Sequence, residues 1–313
     1  MTQATHRPAS WSVVATVRAS APVCNLFARH YLARGARQVF LFHDDASVAC
    51  NVALHGVRNT VCQGRWWRRG RPDALEDRQV HNATKAKAWC ETDWLLHCDV
   101  DELIWSAQDV GEVLGLIPDD VGGIVINTAE AVYAAPPSQH TMFRTPFFKF
   151  FFDERGRPRA YRAISQQAYG DLWNASKYGL WGHILGKSFI RAKADVGRMP
   201  LHHKKQERIN GFLMRQQAPQ LVLRHYDTLS PEMWKEKHLR RIRSEVSVPM
   251  AGRFRERQQA LIAEAEARDG NAGLDQLYLR MSTLPPGILA ECLTEGFVRV
   301  IRPEAHLLAQ DHS

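Results

Sequence analysis

Three carboxylates fall within four positions at Asp99, Asp101 and Glu102, directly after the apolar run Trp94–Cys98. A near-continuous apolar run of this length suits a strand buried on both faces. Three acidic groups cannot be buried together unpaired, so the strand is expected to emerge at a polar surface there. On an extended chain, residues two apart point to one side, which predicts that Asp99 and Asp101 face a common site. Hard oxygen donors on one side suit Mg²⁺ or Mn²⁺, whose remaining positions are commonly filled by water and substrate phosphates.

Other polar residues fall where strands should end. Trp11–Val17 is short and β-branched, and reads as a first strand, followed by Arg18. Val23–Arg34 carries apolar residues at helical spacing, and Gly35 stands where a helix would be capped. Val39–Phe42 reads as a second strand that runs into Asp44. Strand, helix and strand in this order predict a right-handed βαβ unit with parallel strands. Ligands of open α/β sheets bind beyond the carboxyl ends of the strands, which puts Arg18, Asp44, Asp99 and Asp101 along one edge.

Further on, Asn51–Val61 reads as a helix followed by a strand. Gln63–Pro72 reads as an exposed basic loop carrying Trp66 and Trp67, with a substrate loop or lid favoured over a stacking surface for single-stranded nucleic acid. Ala74–Glu91 reads as a helix with Gln79 and Asn82 on one face. A short helix is expected near Val110–Leu116 and a strand over Gly123–Asn127, beside the acidic one and leading to Glu130. The Phe-rich stretch Thr141–Phe152 reads as core. Gly186-Lys187-Ser188 is not a phosphate loop, because the first glycine of that pattern is missing and no helix follows. Ser230-Pro231-Glu232 is a strong helix start, and helices are expected over 231–247, 253–268, 273–281 and 287–294.

The chain has 313 residues, 45% of them apolar, and a net charge of +8, which invites an anionic partner. Six cysteines without a C-x-x-C pair favour reduced thiols over a disulfide frame or a zinc site. No segment has the features of a signal peptide, and no run reaches the about 18 apolar residues of a membrane span. A cytoplasmic protein is therefore expected.

The opening strand, Arg29–Arg37, Val39–Phe42 with Asp44-Asp45-Ala46-Ser47, Trp94–Glu102, Gly182–Phe189 and His225-Tyr226 together resemble the family 2-like bacterial glycosyltransferases of the GT-A fold. The resemblance implies a Rossmann-like, mostly parallel sheet flanked by helices over residues 1–228, with a helical C-terminal region over 229–313. It implies transfer of a sugar from a nucleotide-sugar donor to a glycan or lipid-linked acceptor of the bacterial envelope, with peripheral contact at the inner membrane face and no nucleic acid partner. Arg18, Asp44, Gln79, Asn82 and Asp99 would bind the donor, and Asp99, Asp101 and His225 would hold Mn²⁺ or Mg²⁺. His183 and Lys187 would lie on the acceptor side. The base that takes the acceptor proton would be Glu130 or, failing that, Asp195. Ala19-Ser20 and Ala49 depart from the family pattern and remove polar donor-site groups. They motivate an alternative: a degenerate transferase fold acting as a non-catalytic, basic nucleic-acid- or membrane-binding protein. A haloacid-dehalogenase-type phosphatase is disfavoured because strands precede the motif and Glu102-Leu103 follow it.

Overall fold

The computed structural model describes residues 7–68, 70–138, 141–153, 155–202, 207–227, 230–243 and 253–308. In chain order the elements begin β1 (Trp11–Val17), α1 (Ala21–Ala33), β2 (Gln38–His43), β3 (Val57–Val61), α2 (Leu75–Trp89) and β4 (Trp94–His97). There follow β5 (Glu102–Trp105), α3 (Val110–Gly115), β6 (Gly123–Ala131), β7 (Phe147–Phe150), α4 (Arg162–Tyr169) and β8 (Lys187–Arg191). The chain closes with β9 (Arg208–Ile209), β10 (Phe212–Leu213), β11 (Gln216–His225), α5 (Pro231–Ile242), α6 (Arg253–Ser282), α7 (Pro286–Thr294), β12 (Val298–Val300) and α8 (Ala305–Leu308). No helix among the described residues is long and apolar enough to cross a membrane.

Contacts divide this α/β chain into two compact units, residues 1–127 with 185–223 and residues 128–184 with 224–313. The division differs from the expected boundary at residue 228. The physical reason is that the C-terminal helices share one apolar core with the middle of the chain: Tyr169, Leu172 and Trp181 pack with Trp234, Leu274, Tyr278 and Phe297.

In the first unit, β3, β2, β1 and β4 are neighbours and all parallel. β8 runs antiparallel to β4, and β6 antiparallel to β8. The β6 strand is thus separated from the acidic strand by β8, where the sequence placed the two side by side. All seven residues of β1 are buried, as parallel strands covered on both faces require. The helix α1 ends as expected, with Gly35 at φ +94° just beyond it, a conformation that costs glycine no steric strain. No helix forms between Asn51 and Val57; the chain there is loop up to β3. Trp66 and Trp67 are not an exposed stacking surface. Trp66 is half-buried and Trp67 buried, packed around Phe42, His81 and Trp89.

The second unit holds an antiparallel ladder of β12, β7 and residues 129–131 of β6. Ser230 caps α5 as its sequence promises, accepting the Met233 N–H at 3.4 Å, with Pro231 in the first turn. The long α6 breaks at Asp269 and Gly270, close to the expected end of its first half. Residues 244–247, included in the expected α5, lie outside the described residues.

Candidate functional site

The strand β4 delivers its acids to the carboxyl edge of the first unit's parallel sheet, but not as an extended chain. The Glu102 N–H donates to the Asp99 carbonyl at 3.0 Å and closes a turn. In return, the Glu102 carboxylate accepts the Asp99 N–H at 2.7 Å. Glu102 is fully buried. This reciprocal bonding reverses the chain into β5, so the alternation expected to align Asp99 with Asp101 does not apply. Glu102 is thus the residue that shapes the turn, a role that sequence reasoning missed. The signal was its position three residues after Asp99, the spacing of a turn.

Asp99 is held at both oxygens. Oδ1 accepts the Gln79 amide at 2.6 Å and Oδ2 accepts the Lys187 ammonium at 2.8 Å. Lys187 also lies 3.5 Å from the Glu102 carboxylate. Because β8 is antiparallel to β4, its first residue stands at the carboxyl end of β4, and that residue is Lys187. Burial alone would lower the Lys187 pKa, but Asp99 and then Glu102 outweigh it and raise the value, so the ammonium stays charged. Lys187 is 1% exposed. It anchors Asp99 and cannot line an acceptor site, which corrects the sequence assignment.

The remaining donor-side residues divide by depth. Arg18 is exposed and pairs with Asp45 at 2.9 Å. Asp44 is clamped by the half-exposed Arg71 and the buried Arg78, both at 2.9 Å. Arg78 also donates to the Pro72 and Asp73 carbonyls, which fixes the loop before α2. Gln79 reaches Asp99 as its helix position suggested. Asn82 is fully buried, donating to Thr16 at 3.0 Å and accepting from the Trp66 indole at 2.9 Å. It ties α2 to β1 with its side chain sealed from the surface, a correction to its donor-binding assignment. Asp195 is exposed and follows the other end of β8, where the Ala192 N–H meets the Asp93 carbonyl. The four residues of β4 separate that end from Asp99 by roughly 13 Å. Strand direction therefore removes Asp195 as a base for chemistry at Asp99.

Within the second unit, Glu130 is fully buried. Its carboxylate pairs with Lys149 at 2.7 Å and accepts the backbone N–H groups of Trp181 at 2.9 Å and Gly182 at 2.6 Å. A base needs a lone pair aimed at a substrate; this carboxylate is committed to fixed donors on several sides. His183, half-buried, stacks on the buried His225 with ring centroids 5.1 Å apart. His225 Nε2 lies 3.7 Å from Asp227, which also pairs with Lys237 at 3.0 Å. Burial alone would raise the Asp227 pKa, but Lys237 and then His225 hold it well below the usual carboxylate range.

No protein-family model and no curated protein matches the chain. Among solved structures, the chain is similar to CMP:2-keto-3-deoxy-manno-octonic acid synthetase complexed with CTP. That likeness has 13% identity, covers 58% of this chain and 74% of that one, and has a TM-score of 0.30. A likeness at this level assigns neither family nor activity, and the chemistry of the site rests on its own residues.

Those residues fit a divalent cation in donor type and charge. Asp99, Asp101 and Glu102 against Lys187 leave two formal negative charges. That net negative charge favours a cation over an anion at the turn.

Proposed function

We propose that the chain is a glycosyltransferase that takes a sugar from a nucleotide-sugar donor bound at the carboxyl edge of the first unit's parallel sheet. The observation that supports this most is Asp99, fixed at a strand end by Gln79 and Lys187 with Asp101 in the same turn. In this reading Asp99 and Asp101 hold Mn²⁺ or Mg²⁺, which when bound neutralises charge developing on the leaving nucleoside diphosphate. The chain's own residues then orient the donor. Asp44 sits at the nucleoside, and Arg18 and Arg71 offer guanidinium groups to the diphosphate, a group that arginine matches with paired donors. His183 and His225, the sequence's candidates for the acceptor side and for a metal contact, belong to the second unit. Glu130 becomes a positioning residue that holds the backbone at Trp181 and Gly182. The acceptor is a glycan or lipid-linked glycan, and the net positive charge would draw the protein to an anionic membrane face.

The test is a thermal-shift series with UDP, GDP, CDP and dTDP, each with and without Mn²⁺. A ligand that binds only the folded chain raises its melting temperature. The wild type and Asp195→Asn should show an increase with one nucleotide that requires Mn²⁺, and Asp101→Asn should lose it. An unchanged increase in Asp101→Asn would remove the metal assignment, and no increase with any nucleotide would remove the donor site.

A further inference from the structure

The first unit contains a second cluster of reactive side chains, independent of the donor-site reading. Cys24 in the first turn of α1, His43 at the end of β2 and Cys50 in the loop that follows place one ligand atom each within 4.8 Å of one another. Cys24 and His43 are buried, and Cys50 is half-buried. The two sulfurs belong to the same close group.

The orientation of His43 is set by a third residue. Asn59 Oδ1 accepts the Val52 N–H at 3.3 Å, while its Nδ2 donates to the Val52 carbonyl at 3.2 Å and to Asn51 Oδ1 at 3.1 Å. These bonds leave no doubt which end of the amide is oxygen. That oxygen lies 3.3 Å from His43 Nε2. An amide oxygen only accepts, so Nε2 carries the proton and Nδ1 keeps its lone pair. A ligating histidine has this arrangement, with one nitrogen donating to an orienting carbonyl and the other available to the metal. The same Asn59 bonds fix the chain at Val52, two residues after Cys50.

Two sulfurs and an imidazole nitrogen are borderline-soft donors, unsuited to Mg²⁺ and suited to Zn²⁺. Zinc–sulfur bonds of about 2.3 Å and zinc–nitrogen bonds of about 2.0 Å place tetrahedral donors roughly 3.5–3.8 Å apart. A contraction on the order of 1 Å brings these three atoms onto one ion. We propose that Cys24, His43 and Cys50 bind one zinc ion, with water in the fourth position. Both thiols are deprotonated on binding, and the two protons pass to solvent. The ion fastens the loop that carries Asp44 and Asp45 to α1.

The test uses the full chain, kept reduced, loaded with Zn²⁺ and desalted, with bound metal counted by elemental mass spectrometry. Wild type and Cys90→Ser should retain one equivalent, and Cys50→Ser should retain none while keeping its far-ultraviolet circular dichroism. Asn59→Ala should weaken zinc affinity roughly 10–100-fold, as loss of an orienting partner does. Co²⁺ in place of zinc should give a thiolate charge-transfer band in wild type that is lost in Cys50→Ser. Zinc retained equally by Cys50→Ser, no retention by wild type, or a Cys24–Cys50 disulfide in the reduced preparation would each overturn the proposal.

Discussion

Glu130 and Lys149 stand directly opposite each other on the paired strands β6 and β7, with Nζ and Oε1 2.7 Å apart and both side chains out of contact with water. Burial alone would lower the Lys149 pKa, yet Glu130, followed by Tyr169, raises it, so the ammonium stays charged. The ammonium also donates to Tyr169 and to the Gly179 carbonyl, each at 2.8 Å. Its contacts reach β6, α4 and the turn at Gly179.

Removing one partner leaves the other buried and uncompensated, which typically costs about 3–5 kcal/mol. Lys149→Met should therefore lower unfolding free energy by about that much, measured by urea titration. Lys149→Met combined with Glu130→Gln should recover part of the loss, because a neutral amide oxygen can still accept the Trp181 and Gly182 N–H groups. A single variant within about 1 kcal/mol of wild type would mean the pair is dispensable.

Gly182 has a different reason to be small. A Cβ there would lie 2.6 Å from the His225 ring and 3.1 Å from the Glu130 carboxylate. Gly182→Ala must push the imidazole aside, and overpacking of this kind costs about 1–3 kcal/mol. At Gly287 an added methyl would meet nothing within 4 Å, so Gly287→Ala serves as a neutral control. Equal melting temperatures for the two variants would refute the close fit at Gly182.

The Asp99–Lys187 contact predicts opposite outcomes for two substitutions. Asp99→Asn keeps an acceptor for Lys187 but removes charge, and should abolish Mn²⁺-dependent stabilisation by nucleotide. Lys187→Met leaves Asp99 and the buried Glu102 without their ammonium, and should cost about 3–5 kcal/mol of stability. Urea titrations without nucleotide separate the two, because Asp99→Asn should lose less than Lys187→Met. Equal losses would mean that Lys187 contributes little to holding the turn.

Local signals in the sequence carried much of the first unit. The βαβ opening was legible because β-branched runs, helical spacing and Gly35 all agree within 33 residues, from Trp11 to His43. Helix spacing also placed Gln79 and Asn82 on one face, but spacing says nothing about depth. One turn separates a residue at the sheet edge from one sealed between α2 and β1. Lys149 stands alone as a charge within the stretch Phe147–Phe152, and only the β6–β7 register explains it. The insertion of β8 between β4 and β6 is likewise a matter of long-range pairing. It brings Lys187 to Asp99 and carries Asp195 away, and nothing near either residue in the chain announces it.

His97 should make the fold sensitive to acid. Its Nδ1 lies 3.0 Å from the Pro200 carbonyl, which can only accept, so the ring is a neutral Nδ1–H tautomer. Burial, then the Lys187 ammonium, lowers its pKa from 6.5 to about 4. The unfolded chain takes up this proton near 6.5, while the folded chain resists until about 4. Between those values the unfolded state binds more protons, so stability falls as pH drops and is fully present only above 6.5. The gap amounts to about 3 kcal/mol. His238 is lowered well below its ordinary value, by burial and then by Arg241, and acts with the same sign. The wild-type curve therefore reports a sum, and His97→Gln isolates one part of it. Urea titrations at pH 7 and pH 4 should show the loss on acidification to be smaller in His97→Gln than in wild type by about 3 kcal/mol. An identical loss in the two proteins would mean that His97 is not held neutral by the fold.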